Sequence, residues 1–134
     1  MERVMIVYCD SSVLLKRVFD EADSASFRAQ FRVLVQDGAS IATSALGELE
    51  VSRVCRRHFG EDGVHDATSA LEDIAILDIS DVILRNAADI PYQYLRSMDA
   101  IHVASAFTVR ADLVLTRDKQ MRAACEELGM RVGP

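Results

Sequence analysis

The chain has no tryptophan, only two prolines and six glycines, and no serine- or glycine-rich tract in its 134 residues. A composition so poor in chain-breaking residues, in which 50% of the residues are hydrophobic, excludes a flexible linker or a disordered tail. A length of 134 residues is typical of one domain with its own core. We therefore expect a single domain that spans residues 1–134 and folds alone.

Paired cysteines and long apolar runs are also lacking. Cys9, Cys55 and Cys125 are an odd number without a C-x-x-C pair, so neither a disulfide framework nor a zinc site is indicated. No stretch approaches the roughly 18 apolar residues of a membrane-spanning helix. The first apolar run is too short for the core of a signal peptide. We expect a cytoplasmic protein without a membrane partner.

Positive charge is scarce. The formal net charge is −6, which excludes a protein that coats nucleic acid through bulk positive charge, so any RNA contact must be local. Of the 15 basic residues only Lys16 and Lys119 are lysines. Arginine suits bidentate contacts with phosphate, but a biased genomic base composition explains the same excess equally well.

Short apolar runs alternate with segments of helical periodicity along the chain. The runs 4–9, 40–42, 75–79 and 113–116 predict strands, and 130–132 predicts a fifth. The helical segments are 13–19, a stretch from 24 or 26 to the stop at Asp37-Gly38, a stretch from a cap at 43 or 44 to about 58, and 61–74, 81–88, 97–110 and 118–128. This alternation predicts an α/β fold with a four- or five-stranded, mostly parallel sheet flanked by helices on both faces.

Three acidic residues stand where strands end or helices begin. Asp10 directly follows the first strand, Asp118 follows the strand 113–116, and Asp99 opens a largely apolar helix. Ligands bind at the carboxyl ends of parallel strands, and carboxylates that meet there need a counter-charge such as Mg²⁺ or Mn²⁺. Each acid also has a structural alternative, because Asp10 and Asp118 suit helix N-caps and Asp99 suits the positive end of a helix.

The helix that follows position 43 carries two more candidates. Glu50 has apolar neighbours one turn away on both sides, Leu46 and Val54, whereas Glu48 has serines there. Side chains one turn apart share a helix face, so Glu50 is predicted to face inward. Thr116 precedes Asp118 by two residues and offers a hydroxyl beside a carboxylate, which suits a metal-bound water.

Four other side chains are left with more than one interpretation. Arg53, Arg56 and Arg57 lie near one another on the predicted helix, as a phosphate-binding patch or as an ordinary solvated face. His102 stands three residues after Asp99, where it orients that carboxylate, contacts phosphate, or is a satisfied core histidine.

Segments 7–12, 44–50, 95–106 and 115–118 together resemble the PIN-domain ribonucleases, and within them the VapC-type toxins of bacterial type II toxin–antitoxin pairs. The family's glutamate stands six residues after a serine, which selects Glu50 counted from Ser44. The resemblance places the acidic quartet and two supporting polar groups at Asp10, Glu50, Asp99, Asp118, Thr116 and Ser12.

The resemblance implies a Mg²⁺- or Mn²⁺-dependent endoribonuclease that hydrolyses RNA phosphodiester bonds. Asp10 and Asp99 would bind metal directly, Asp118 directly or through water, and Glu50 would bind metal or position the attacking water. The resemblance also implies a VapB-like antitoxin as partner, RNA as substrate, and a homodimer.

Three other classes of protein fit the sequence less well. A haloacid-dehalogenase-like phosphatase needs a second aspartate two residues after Asp10, where this chain has Ser12. A receiver domain needs an acidic pair after its first strand and an aspartate after a middle strand, which the stretch 78–81 matches poorly. A non-catalytic PIN-like module that binds RNA or protein is disfavoured because it has no need for four mutually repelling carboxylates.

Overall fold

A central five-stranded sheet organises the chain, in a computed structural model that describes residues 3–133. All neighbouring strands are parallel, and their order across the sheet is β3-β2-β1-β4-β5. In chain order the strands are β1 (Ile6–Cys9), β2 (Ser40–Ser44), β3 (Ala75–Leu77), β4 (Leu113–Leu115) and β5 (Val132–Gly133). The predicted α/β fold with a parallel sheet is confirmed.

Helices connect the strands and cover both faces of the sheet. They are α1 (Ser11–Leu14), α2 (Ser24–Gln36), α3 (Ala45–Phe59), α4 (Gly63–Ala70), α5 (Asp81–Asp89), α6 (Ser97–Thr108) and α7 (Lys119–Glu127). Short 3₁₀ turns follow α1 at Leu15–Arg17 and precede α4 at Gly60–Asp62. None of the helices in residues 3–133 has both the length and the apolar character needed to cross a bilayer.

Alternation along β1 divides the apolar core into two layers. Val7 and Cys9 pack with Leu14, Phe31 and other apolar residues on one face, whereas Tyr8 lies on the opposite face. That second face is covered by apolar residues of α6 and α7. Successive side chains of a strand point to opposite faces, so β1 is buried on both sides, as expected of a parallel sheet.

The strand order creates a switch point between β1 and β4. The chain moves from β1 to β2 and β3 on one side of the sheet, and β4 returns to pair with the other side of β1. The loops after β1 and β4 therefore leave the sheet next to each other and in opposite directions. In open α/β sheets such a crevice is the usual place for a ligand.

The observed helix ends differ from the predicted ones at α1 and α4 and agree with them at the start of α3. The first helix begins at Ser11 because Asp10, and neither Ser11 nor Ser12, is its N-cap, and it continues beyond Leu14 only as a 3₁₀ turn. Ser44, one of the two predicted caps of α3, accepts from the Gly47 N–H at 3.3 Å. The predicted helix 61–74 is shorter than expected, because it is regular only over Gly63–Ala70.

A close approach of α4 to α3 explains why the regular part of α4 begins at a glycine. A Cβ atom added to Gly63 would lie 2.4 Å from the carbonyl oxygen of Cys55 in α3. That oxygen belongs to the backbone of a buried residue, so it cannot move away as a flexible side chain would. Only glycine allows the two helices to pack at this distance.

We predict that Gly63→Ala lowers the free energy of unfolding by about 1–3 kcal/mol, the usual cost of overpacking a closely packed contact. Urea denaturation followed by circular dichroism measures it. Ser69→Ala, at an exposed position of the same helix, is the control and should stay within about 0.5 kcal/mol of wild type. Equal stability of Gly63→Ala and wild type would contradict the close approach.

Candidate active site

Asp10 is fixed at the end of β1 by hydrogen bonds to both of its carboxylate oxygens. Oδ1 accepts from the Ser12 hydroxyl at 2.7 Å and, as the N-cap of α1, from the Val13 N–H at 3.2 Å. Oδ2 accepts from the Thr116 hydroxyl at 2.5 Å, and the carboxylate is only 4% exposed. A buried carboxylate with three donors has one defined orientation.

Thr116 connects the loops that follow β1 and β4. Its hydroxyl is fully buried, donates to Asp10, and accepts from the Asp118 N–H at 3.1 Å. The Asp118 side chain in turn caps α7, because Oδ1 accepts from the Met121 N–H at 2.8 Å. Thr116 thus links Asp10 and Asp118. The sequence suggested that its hydroxyl would suit a metal-bound water, but the buried hydroxyl is already used in these two hydrogen bonds.

Glu50 reaches the same region from α3. It is half-buried and Glu48 is exposed, as their neighbours in the sequence predict. Glu50 Oε1 lies 2.6 Å from His102 Nε2, and His102 Nδ1 lies 2.7 Å from the Tyr8 hydroxyl. His102 is buried and both of its ring nitrogens have hydrogen-bond partners, which matches the interpretation of a satisfied core histidine. The carboxylate that it contacts is Glu50, where the sequence suggested Asp99.

Sequence reasoning missed Tyr8. The residue is fully buried in the sheet, and burial raises the pKa of its phenol well above the usual value. The available signal was a tyrosine on a strand that is otherwise apolar, since a buried phenol needs a hydrogen-bond partner. The sequence cannot name that partner, because it lies 94 positions away on α6.

The pKa of Asp99 is changed by burial and by the charges of the other three acidic residues. Burial raises its pKa, the charges of Asp118, Glu50 and Asp10 raise it further, and nearby His102 acts in the opposite direction. The charges of the other three acidic residues predicted from the sequence therefore all reach Asp99 in the fold. Among residues 3–133, no lysine or arginine forms an ion pair with any of the four.

The chemistry of this donor set fits a hard divalent cation. Carboxylate oxygens are the ligands that Mg²⁺ takes in proteins, and burial together with the charges of the other three acids raises the pKa of Asp99. In the described part of the chain, however, no three acidic, histidine or cysteine side chains are already arranged to hold an ion. The metal-binding roles of the carboxylates therefore stay predictions.

The arginines of α3 lie apart from these contacts. Arg53, Arg56 and Arg57 are all exposed, and none makes a side-chain hydrogen bond or ion pair within residues 3–133. This arrangement matches the interpretation of a solvated helix face. Arg117, which stands between Thr116 and Asp118, forms an ion pair with Asp23.

A cavity of about 540 Å³ is lined by Ser12 and Arg117, which lie close in the chain to Asp10 and Asp118, although none of the four acids lines it. Phe19 and His58 contribute aromatic rings whose centroids are 5.0 Å apart. The rest of its wall is formed by Leu15, Lys16, Asp20, Glu21 and Val54. A partly aromatic groove thus begins at the chain neighbours of two of the acids.

Known proteins are similar in sequence to this chain over almost its full length. The model of the PIN domain matches residues 7–127, a range that contains all four acids. Ribonuclease VapC47 of Mycobacterium tuberculosis (strain CDC 1551 / Oshkosh) is 30% identical over 126 residues, which cover 92% of this chain and 93% of that protein. Ribonuclease VapC46 of Mycobacterium tuberculosis (strain ATCC 25618 / H37Rv) is 32% identical over 128 residues, covering 94% and 95%.

Solved structures share the fold. VapBC2 from Rickettsia felis, bound to a DNA fragment from its promoter, superposes with a TM-score of 0.76 at 12% identity, covering 96% of this chain and 98% of that one. VapC20 of Mycobacterium tuberculosis, a toxin that cleaves the sarcin-ricin loop, gives 0.70 at 14% identity, covering 88% and 94%. At such low identities these likenesses concern the fold alone.

We predict that Asp99→Asn stabilises the protein at pH 7 when no divalent cation is present. The folded-state pKa of Asp99 is raised, so its contribution to stability is greatest at low pH and is lost as pH rises through that pKa. Removing the charge should raise Tm by about 1–3 °C at pH 7 and by less at pH 4.

Differential scanning calorimetry in EDTA measures this gain, with Glu61→Gln at an exposed position as the charge-matched control. A lower Tm for Asp99→Asn, or a gain of the same size at both pH values, would contradict mutual repulsion in the cluster.

Proposed function

The chain belongs to the PIN-domain family, and we propose that it is a metal-dependent endoribonuclease, the toxin of a type II toxin–antitoxin pair. The observation that carries the proposal is the placement of Asp10 and Asp118 at the switch point of the sheet, close enough to Asp99 that, in addition to burial, their charges and that of Glu50 raise its pKa. RNA phosphodiester hydrolysis is the reaction that we assign to this site.

Asp10, Glu50, Asp99 and Asp118 would hold one or two Mg²⁺ or Mn²⁺ ions. Such ions, when bound, lower the pKa of water and offset the charge that develops on a phosphate. We propose Asp10 and Asp99 as direct ligands, Asp118 as a ligand directly or through water, and Glu50 as a ligand or as the group that orients the attacking water. Support comes from the donor types and from the absence of any arginine or lysine partner for these acids within residues 3–133.

The protein's own side chains supply orientation. Ser12 and Thr116 donate to the two oxygens of Asp10, so that carboxylate is preorganised before substrate arrives. Preorganisation lowers the cost of aligning reacting groups, and displacements of about 1 Å cost about 10²-fold in rate. The supporting roles proposed for Ser12 and Thr116 thus consist in holding Asp10.

The groove lined by Ser12 and Arg117 suits single-stranded RNA. An unpaired base stacks on aromatic rings, and proteins read RNA in this way in loops and bulges. Phe19 and His58 offer such rings in the groove that Ser12 also lines. We propose that a base next to the scissile phosphate enters this groove.

We propose a VapB-like antitoxin as the partner that covers this groove, in the cytoplasm. Solved relatives of the fold include toxin–antitoxin complexes such as VapBC2. The formal net charge of −6 and the uncompensated carboxylates favour a partner that presents basic side chains. A homodimer is also proposed, and the whole chain, residues 1–134, is proposed to form one PIN domain.

We predict that Asp10→Asn and Glu50→Gln each lower the rate of RNA cleavage at least about 100-fold, because each removes a charge from the cluster. Purified protein is incubated with a structured RNA in Mg²⁺ or Mn²⁺, and products are resolved on a denaturing gel. EDTA should stop the wild-type reaction. Glu48 lies two residues before Glu50 on α3 and is exposed. Glu48→Gln is therefore the matched control and should cut RNA at the wild-type rate.

Two results would contradict the proposal. Equal cleavage by wild type and Asp10→Asn would mean that the site is wrongly assigned. RNA binding by wild type without cleavage of any tested RNA would favour the alternative, a non-catalytic PIN-like RNA- or protein-binding module.

A further inference from the structure

A buried chain of hydrogen bonds leads from the core of the sheet to Glu50. The Tyr8 hydroxyl lies 2.7 Å from His102 Nδ1, and His102 Nε2 lies 2.6 Å from Glu50 Oε1. Tyr8 is 0% exposed and His102 is 2% exposed, so water does not compete for the Tyr8–His102 contact, whereas the Glu50 side chain is 30% exposed. Tyr8 belongs to β1, His102 to α6 and Glu50 to α3. These hydrogen bonds therefore connect three elements of the fold.

The direction of donation along this chain is set by chemistry. An ionised carboxylate only accepts, so the proton between His102 and Glu50 belongs to Nε2. In a neutral imidazole Nδ1 is then an acceptor, and the Tyr8 hydroxyl donates to it.

Glu50 needs such an anchor. Asp99, Asp118 and Asp10 carry like charge nearby, and a glutamate side chain at a partly exposed helical position is free to turn toward solvent. Holding a long side chain such as glutamate in one rotamer also costs conformational entropy. The 2.6 Å contact with the His102 N–H opposes both effects.

We infer that Tyr8 and His102 are positioning residues for Glu50. Tyr8 fixes the tautomer of His102 and His102 holds Oε1 of Glu50, while Oε2 makes no side-chain hydrogen bond within residues 3–133. Glu50 then acts through a single oxygen, toward metal or toward the attacking water. The inference rests on the proposed function, because it explains how Glu50 is oriented in that same site.

Two substitutions of His102 separate this role from simple packing. The amide nitrogen of Gln reaches about as far as Nε2, so His102→Gln keeps a donor for Glu50. The amide of Asn reaches only as far as Nδ1, so His102→Asn keeps a partner for Tyr8 and loses Glu50. Both variants replace a ring by a smaller amide, and a purely structural role would affect them alike.

For His102→Asn we expect kcat for RNA cleavage to fall about 10–100-fold and the Mn²⁺ affinity of the purified protein to fall about tenfold, as for other residues that orient metal ligands. His102→Gln should keep both within about threefold of wild type. KM for RNA should not change in either. Isothermal titration calorimetry with Mn²⁺ alone gives the affinity without any RNA.

Tyr8→Phe tests the other end of the chain and serves if His102→Asn fails to fold. It should lower kcat and Mn²⁺ affinity in the same direction as His102→Asn, and by less. His65→Asn, at an exposed position of α4, is the control and should leave both unchanged.

Equal losses in His102→Asn and His102→Gln would overturn the inference, because they would indicate packing. Wild-type kcat and Mn²⁺ affinity in His102→Asn or in Tyr8→Phe would overturn it as well. Failure of the proposed function has another signature, namely equal RNA cleavage by wild type and Asp10→Asn, and the Mn²⁺ titration then still judges the role of His102.

Discussion

Repulsion among four carboxylates at the switch point between β1 and β4 is the constraint on which the surrounding structure depends. Asp99 shows it most clearly, since burial and the charges of the other three acids raise its pKa. Each of its neighbours is restrained by donors from elsewhere in the fold. Asp10 is held by Ser12 and Thr116, and Asp118 by the first turn of α7. These contacts keep like charges close at a cost that a bound cation would remove.

The structural and functional interpretations of the acids prove to be compatible. Asp10 and Asp118 are N-caps, as their positions before α1 and α7 suggested, and they also face the cluster. An N-cap carboxylate points at backbone N–H groups and is therefore already immobilised. Helix capping thus contributes to the orientation that the proposed metal ligands need, beside the Ser12 and Thr116 hydroxyls that hold Asp10.

Sequence patterns predicted the fold well because they are local. Strand runs, helical periodicity and the neighbours of Glu50 all act within a few residues, and the parallel sheet followed from their alternation. Contacts between distant segments could not be predicted in this way. The first regular turn of α4 depends on the Cys55 carbonyl of α3, and the partner of His102 depends on how α6 approaches α3. Recognition of the PIN pattern identified the acids, but it did not include Tyr8 or the anchor of Glu50.

The most direct test of the central claim is the dependence of Tm on Mg²⁺ for wild type and Asp99→Asn. A cation that binds only the folded state stabilises it by mass action, about 2.7 kcal/mol at a concentration of 100 times Kd. If the cluster holds the ion, Mg²⁺ should raise the Tm of wild type by several degrees and that of Asp99→Asn by little. A Tm that Mg²⁺ leaves unchanged in wild type, or raises equally in both proteins, would contradict the account.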